Sequence, residues 1–128
     1  MSTPDEIEDD ARVDISKLMY IRALNDEFRT QALLGFALGD NKLVITRGVV
    51  YHDLDLIDRA VKAVRTFCDF TSDNDPYGEH DFGAFSIDGV PLNWKIDYYD
   101  NKLEFGSPDP ADPAVTRRVL TIMLADEY

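Results

Sequence analysis

Basic residues, cysteine and long apolar runs are all scarce in this 128-residue sequence. Thirteen Lys and Arg stand against 25 Asp and Glu, which gives a formal net charge of −12. Such a charge argues against direct binding to nucleic-acid phosphates, which needs clustered Lys and Arg, and against adsorption to anionic membranes. No apolar run approaches the roughly 20 residues that span a bilayer. We therefore expect neither direct nucleic-acid contact nor membrane association.

The single cysteine limits the covalent chemistry of the chain. Cys68 has no second Cys with which to form an internal disulfide, and its position on the apolar stripe of a predicted helix indicates a buried thiol. The first ten residues, MSTPDEIEDD, are acidic, whereas a secretory signal begins with basic residues and continues with an apolar run. The sequence therefore predicts a cytoplasmic protein.

Length and apolar content predict one folded domain. Hydrophobic residues make up 45% of the chain and aromatic residues 11%, as is usual for a globular protein. Residues 1–13 are acidic, contain Pro4 and have few core-forming side chains. We therefore expect a disordered acidic tail at 1–13, followed by a single domain at 14–128.

Helix and strand patterns alternate in the first half of the domain. Asp14 is placed to cap a helix that runs to about Thr30, with Arg29 on its polar side. The β-branched segment Leu43–Val50 predicts a strand, and an earlier strand near Leu33–Ala37 stays open. A second helix follows, capped by Asp53 or Asp55. The apolar stripes of the two helices are Leu18, Ile21, Leu24 and Phe28, and Ile57, Val61, Val64 and Cys68.

Asp88-Gly89, between two alternating segments, is the strongest local pattern and predicts a two-residue β-hairpin turn. The resulting register pairs Ile87 with Val90 and Gly83 with Trp94. One face of this hairpin is then apolar, formed by Phe85, Ile87, Leu92, Trp94 and Ile96.

A second turn at Asp100-Asn101 predicts one more strand, and a last helix follows it. Asp112 is a suitable N-cap and Pro113 suits the first helical position. The buried stripe of this helix would be Val115, Val119, Ile122 and Met123. The sequence therefore predicts an α+β fold with the order α-β-α-β-β-β-α, a mostly antiparallel sheet of four to five strands, and helices packed on one face.

The same register predicts a row of titratable side chains on the opposite sheet face. His80 would lie across from Asp97, and Asp97 across from Glu104. A His beside two carboxylates suits general-base catalysis or binding of a divalent metal, because a neighbouring carboxylate orients the imidazole and favours its charged form. An ordinary cross-strand His–Asp pair on a solvated face is the structural alternative.

The loop at 71–81 concentrates acids around Asn74, Pro76 and Gly78. It fails as an EF-hand, because the fifth position counted from Asp73 is Tyr77 and the twelfth is Ala84. A non-standard cation loop and a polar turn held by Asp and Asn side chains both remain open. The candidate binding surface around this loop consists of Asp73, Asp75, Glu79, Asp81, Lys95 and Tyr99.

Two functions are compatible with these patterns. The first is a non-enzymatic interaction or regulatory protein that binds a basic protein partner, since residues 69–112 carry 11 acids and two bases. Solubility alone is the other explanation of this charge. The second function is a metal-assisted, hydrolase-like enzyme that uses His80, Asp97 and Glu104. No motif for an organic cofactor is present, and none is expected.

Three longer blocks of the sequence carry a family resemblance. These are FTSDNDPYGEHDFGAF, WKIDYYD and DPADPAVTRRVLTIMLADEY. They resemble the signature blocks of the bacterial domain-of-unknown-function family 3768, and the resemblance extends from about the first helix to the C-terminus. It implies a small single-domain bacterial protein. It implies no activity, cofactor or catalytic residue.

Overall fold

The computed structural model describes residues 14–32 and 39–128. Within these residues the chain forms three α-helices and a four-stranded mixed sheet, so the predicted α+β class and strand number are confirmed. The predicted tail at 1–13 and the extra strand near Leu33–Ala37 lie outside the described residues. The elements are α1 (Ile15–Thr30), β1 (Lys42–Ile45), α2 (Arg47–His52), α3 (Leu54–Thr66), β2 (Phe82–Ile87), β3 (Val90–Tyr99) and β4 (Arg117–Leu124), with 3₁₀ turns at Pro113–Val115 and Ala125–Glu127.

The first helix begins and ends where the sequence predicts. The Asp14 carboxylate accepts the backbone N–H of Lys17 at 3.0 Å, which satisfies one of the free donors of the first turn. Phe28 is buried against the sheet as expected. Arg29 was expected on the polar side but is only 3% exposed, so that part of the prediction is wrong.

The β-branched segment Leu43–Val50, predicted to be one strand, is a strand only in its first half. β1 ends at Ile45, and the next residues turn into α2, which buries Val49 completely. The Asp53 side chain then caps α3 by accepting the N–H of Asp55 at 2.9 Å. This helix ends at Thr66, two residues before the end of the predicted apolar stripe. Cys68 therefore lies beyond the helix and is exposed, and the prediction of a buried thiol is wrong.

β2 and β3 form the predicted hairpin with the predicted register. Ile87 pairs with Val90 and Gly83 with Trp94. The two turn residues, Asp88 and Gly89, both have positive φ values, 51° and 80°, as the favoured type I′ turn requires. The hairpin places the Trp94 indole over Gly83, in the centre of the core.

A strand, β4, replaces the predicted C-terminal helix. It pairs antiparallel with β3 and parallel with β1, which gives the sheet order β1-β4-β3-β2. Leu120 and Ile122 are buried on the helix side, and Met123 is buried on the other side. A central strand that is buried on both faces has a continuous apolar sequence, and this pattern also fits a helix. Only the Asp112-Pro113 start was correct, and it begins a 3₁₀ turn.

The segment 100–112 after β3 is an irregular loop. The strand predicted to follow the turn at Asp100-Asn101 does not form. The Asp100 carboxylate accepts the N–H groups of Lys102 and Glu104, which holds the turn in place. Because β4 lies beside β3, Asp97 pairs with Val119 and not with Glu104. The predicted pairing of Asp97 with Glu104 is therefore wrong.

The core lies between one face of the sheet and the three helices, as predicted. Its largest buried side chain is Trp94, whose ring contacts that of Phe67 edge to face at 5.5 Å. The other core residues include Phe28, Val49, Ala60, Val64, Leu92, Ile96, Leu120 and Ile122. In the part of the chain described by the structure, no helix has the length and apolar character needed to cross a bilayer.

Candidate functional site

The three residues predicted to form a catalytic row lie apart. His80 is on the helix-covered side of the sheet, where its Nδ1 lies 2.9 Å from Asp26 Oδ1 of α1. Asp97 alternates onto the opposite face of β3, and Glu104 is exposed in the loop that follows. The predicted row of His80, Asp97 and Glu104 is therefore wrong, because β2 begins only at Phe82 and because β4, not the segment with Glu104, pairs with β3 beside Asp97.

His80 connects the loop at 69–81, which we call the first acidic loop, to α1. Its backbone has a left-handed φ of 56°, and its N–H donates to Asp75 Oδ1 at 3.2 Å. Its ring stacks on Phe70, with centroids 3.8 Å apart and planes within 5° of parallel. Nε2 lies 3.7 Å from the second oxygen of Asp75. The imidazole thus lies between two carboxylates and holds the loop against the helix.

Lys95, Asp97 and Tyr99 share one face of β3, as their alternation predicted. Lys95 Nζ lies 2.6 Å from Asp97 Oδ2, and this hydrogen bond raises the pKa of Lys95. Phe82 pairs with Lys95, and its ring packs against that of Tyr128 with the centroids 5.6 Å apart. Two of the six proposed surface residues, Lys95 and Tyr99, therefore lie on the other side of the sheet from the first acidic loop.

The four predicted acids of the first acidic loop have different environments. Asp73 is exposed at the tip, whereas the Asp75 side chain is only 5% exposed. Glu79 Oε1 accepts the hydroxyl of Tyr98 at 2.7 Å. Burial raises the pKa of Asp81 to about 6, and the negative charge of Glu79 adds to this effect. Of these four acids, only Asp73 is exposed.

The interpretation of this loop as a polar turn is confirmed. Asn74 Oδ1 accepts the N–H of Thr71 at 2.8 Å, and Asn74 Nδ2 donates to the carbonyl of Asp69. Across residues 14–32 and 39–128, no group of three or more His, Cys, Asp or Glu side chains is placed to hold a metal ion. The loop is therefore stabilised by its own Asn and Asp side chains.

A buried hydrogen-bond network lies beside the loop, at the end of the helix-covered sheet face. Arg118, opposite Tyr98, is 2% exposed, and its Nε donates to Asn25 Oδ1 at 2.7 Å. Asn25 Nδ2 donates to the Tyr98 hydroxyl at 2.7 Å and to the Glu79 carbonyl at 3.0 Å. Burial lowers the pKa of Arg118 and raises that of Tyr98. These groups satisfy one another and lock the loop to two strands and a helix.

A second buried cation, Arg29, caps the C-terminus of α3. Its Nη1 donates to the carbonyls of Val64 and Phe67 at 2.8 and 2.9 Å, which are acceptors left free at a helix C-terminus. Its guanidinium also lies over the Trp94 ring, 5.2 Å from the centroid. Sequence reasoning missed both Arg29 and Asn25. The available signal was Asn25 itself, a polar residue on the apolar stripe of α1.

An open groove of about 440 Å³ lies between the first half of α1 and the first acidic loop. Ile15 is 61% exposed and Tyr77 is 79% exposed, so the groove has apolar surface open to solvent. Its volume falls in the range of ligand pockets, roughly 300–1,000 Å³. The apolar lining is Ile15, Leu18, Ile21, Pro76 and Tyr77, and the polar lining is Asp14, Lys17 and Glu79.

The loop wall of this groove is fixed to the helix at several points. Arg22 Nε donates to the Gly78 carbonyl at 2.6 Å. Gly78 has a φ of 72°, and a Cβ there would lie 2.7 Å from Arg22 Nη2. Only Gly fits both conditions without strain. Together with the Asn25–Glu79 and His80–Asp26 contacts, this makes the groove a preformed feature of the fold.

Comparison with known proteins gives one family. A family model described as "Protein of unknown function (DUF3768)" matches residues 45–127, from the end of β1 to the turn after β4. The match begins later than the resemblance in the sequence indicated and leaves α1 outside it. No curated protein and no solved structure gives a significant match. Because the matched residues make up more than half of the sequence, this chain belongs to the DUF3768 family of proteins of unknown function.

Proposed function

We propose that this chain is a non-enzymatic interaction protein that binds a basic protein partner through two acidic loops. The first acidic loop, 69–81, has five acids and no Lys or Arg, and the second acidic loop, 100–112, has four acids and one Lys. Both contact the first half of α1: the Gly78 carbonyl accepts from Arg22 Nε at 2.6 Å, and Asp109 pairs with Lys17 at 3.1 Å. This convergence of two acidic segments is the observation that carries the proposal.

Two exposed acids of these loops lack the ion pair that an exposed acid of α3 has. Asp73 and Glu104 are exposed, and their carboxylates make no ion pair with any described residue. On α3, in contrast, Asp58 pairs with Lys62 at 3.2 Å. A surface with uncompensated negative charge attracts cationic proteins and accelerates their association. The charge therefore favours a partner with clustered Lys and Arg.

His80 and Glu79 of the first acidic loop both form contacts with side chains of this chain. His80 is held by Asp26 and Asp75, and Glu79 accepts a hydrogen bond from Tyr98. These contacts position the first acidic loop, which supports a role in binding more than one in catalysis. A cytoplasmic setting is part of the same proposal, since an exposed thiol such as Cys68 persists as a thiol in a reducing compartment.

Binding of fluorescently labelled poly-L-lysine, measured by anisotropy, tests the charge component. The loop variant carries Asp73→Asn and Glu104→Gln, and the matched control carries Asp58→Asn and Asp126→Asn, which change the net charge equally at other exposed sites. At about 0.5 kcal/mol per exposed ion pair, the loop variant should bind several-fold more weakly. The control should stay within about twofold of the parent. Equal weakening by both variants would mean that the charge is diffuse and would contradict the proposal.

The identity of the partner requires a second experiment. A photocrosslinking amino acid is placed at position 73, in the first acidic loop, and for comparison at position 58, on α3. The proposal predicts that position 73 captures a protein with a basic surface, and that this protein, once purified, binds the parent chain more tightly than the loop variant. A captured protein with an acidic or neutral surface would overturn the proposal.

A further inference from the structure

We propose that the groove between α1 and the first acidic loop receives the apolar face of a basic amphipathic helix from the partner. This inference rests on the proposed function and adds the place and the form of binding. It does not depend on charge alone, because the groove has a distinct apolar lining.

The shape of the groove suits a helix. Ile15, Leu18 and Ile21 follow one another at three-residue steps, so they form a ridge along one side of α1. Pro76 and Tyr77 form the facing wall. A partner helix laid in such a groove presents apolar side chains at three- and four-residue steps, as in other helix-in-groove complexes. Tyr77, with 79% of its surface exposed, is of the residue type that most often anchors an interface.

The charges at the edges of the groove select a basic helix. Asp14 and Glu79 lie at the lining, and Asp73 and Asp109 lie beyond it in the two acidic loops. Glu79 uses Oε1 for the Tyr98 hydroxyl, whereas its Oε2 makes no hydrogen bond with the described residues. Among the described lining residues Lys17 is the one cation, and it is engaged by Asp109 at 3.1 Å. Lys or Arg side chains that flank the apolar face of the partner helix would therefore lie close to the carboxylates of Asp14, Glu79 and Asp73.

The groove is already formed in the free chain. Its loop wall is held by the Arg22–Gly78 hydrogen bond, by the Asn25–Glu79 hydrogen bond and by the His80–Asp26 contact. Binding therefore does not require the chain to order this loop, which reduces the entropic cost of association.

The test uses the full chain and two synthetic peptides of Leu and Lys. One peptide has the residues arranged as an amphipathic helix, and the other has the same composition in a scrambled order without an apolar face. The groove variant is Ile15→Ser with Tyr77→Ala. Its control is Leu54→Ser with Tyr51→Ala, which changes the first residue of another helix and another exposed Tyr. All four positions are exposed, so the variants are expected to fold, and circular dichroism checks this.

We expect the amphipathic peptide to bind the parent chain at least about tenfold more tightly than the scrambled peptide. The groove variant should lose this difference while it retains binding of poly-L-lysine, and the control variant should keep the difference. If the groove variant binds the amphipathic peptide as the parent does, the inference is wrong. The proposed function is then still supported if neutralising Asp73 and Glu104 weakens poly-L-lysine binding. If neither peptide nor poly-L-lysine binds, both proposals fail.

Two further outcomes would assign the groove to another occupant and overturn the inference. Tighter peptide binding after Ile7→Ser and Val13→Ser would show that the N-terminal residues of this chain compete for the groove. A dimer seen by analytical ultracentrifugation and abolished by Tyr77→Ala would show that a second copy fills it.

Discussion

Replacing Asp81 with Asn is expected to stabilise the folded protein at neutral pH. Asp81 is half-buried just before β2, where burial and the charge of Glu79 raise its pKa from 3.8 to about 6. A difference of this size corresponds to about 3 kcal/mol of unfavourable free energy for the ionised carboxyl. Because the side chain is partly exposed, solvent screening reduces the expected effect to about 1 kcal/mol.

The effect has a defined dependence on pH. The folded protein binds the Asp81 proton more tightly than the unfolded chain does, so the ionised carboxyl lowers the free energy of unfolding above about pH 6. As the pH falls from about 6 to about 4, the folded state takes up the proton first and the cost disappears. Asn is neutral at every pH. The advantage of Asp81→Asn is therefore full near about pH 7.5 and falls to a few tenths of a kcal/mol or less near about pH 4.

Urea unfolding followed by the fluorescence of Trp94, the single Trp, measures this effect at both pH values. The matched control is Asp73→Asn, which removes an equal charge from the exposed tip of the same loop. We expect that control to change the free energy of unfolding by less than about 0.5 kcal/mol. The burial argument is refuted if the two variants have the same effect, or if the gain from Asp81→Asn persists at low pH.

Three more substitutions test the packing and hydrogen bonds described above, each by denaturant unfolding. Gly83→Ala places a methyl group against the Trp94 indole and should cost about 2 kcal/mol or more, with a changed Trp emission spectrum. Asn25→Ala leaves the Nε of buried Arg118 without its acceptor and should cost about 2–3 kcal/mol, whereas an unchanged stability would contradict the network. Glu127→Gln weakens the hydrogen bonds that lower the pKa of this carboxyl at the start of α2, so we expect a loss of about 0.5–1 kcal/mol at neutral pH. This loss should be complete above the ordinary pKa of 4.5 and should disappear as the pH falls through the lower pKa of the folded state.

The parts of the fold that the sequence predicted correctly are those determined by neighbouring residues. The cap at Asp14 and the turn at Asp88-Gly89 each depend on a short segment whose backbone geometry favours one structure. The hairpin register follows from that turn alone. These features needed no knowledge of the rest of the chain.

The errors arose where a distant segment decides the structure. The run from Val119 to Leu124 fits a helix by its spacing, but β1 and β3 on either side of it make it the centre of a sheet. Arg118, at the start of the same strand, is buried because Asn25 accepts a hydrogen bond from its Nε and its guanidinium lies over the Tyr98 ring.

The candidate site could be predicted only in part. The acidic character of 69–81 was evident from composition, and this loop contains four of the six predicted surface residues. The other two, Lys95 and Tyr99, lie on the other side of the sheet. The groove was not predicted, because it forms between α1 and a loop more than fifty residues later in the chain.

The error over His80, Asp97 and Glu104 had two sources. β2 begins only at Phe82, so His80 lies in the loop before it and is not paired with Asp97. β4 takes the place beside β3 that was predicted for the strand with Glu104.

The position of β4 determines when the sheet can be completed during synthesis. β1, α2, α3 and the hairpin of β2 and β3 all leave the ribosome before residues 117–124, yet β1 reaches the rest of the sheet only through β4. Until then, the facing edges of β1 and β3 have unpaired backbone groups, and Trp94 and Ile96 lack their partners Ile122 and Leu120. The nascent chain is therefore expected to remain open to proteolysis and to aggregation through these edges, and to fold in one late step when β4 is inserted.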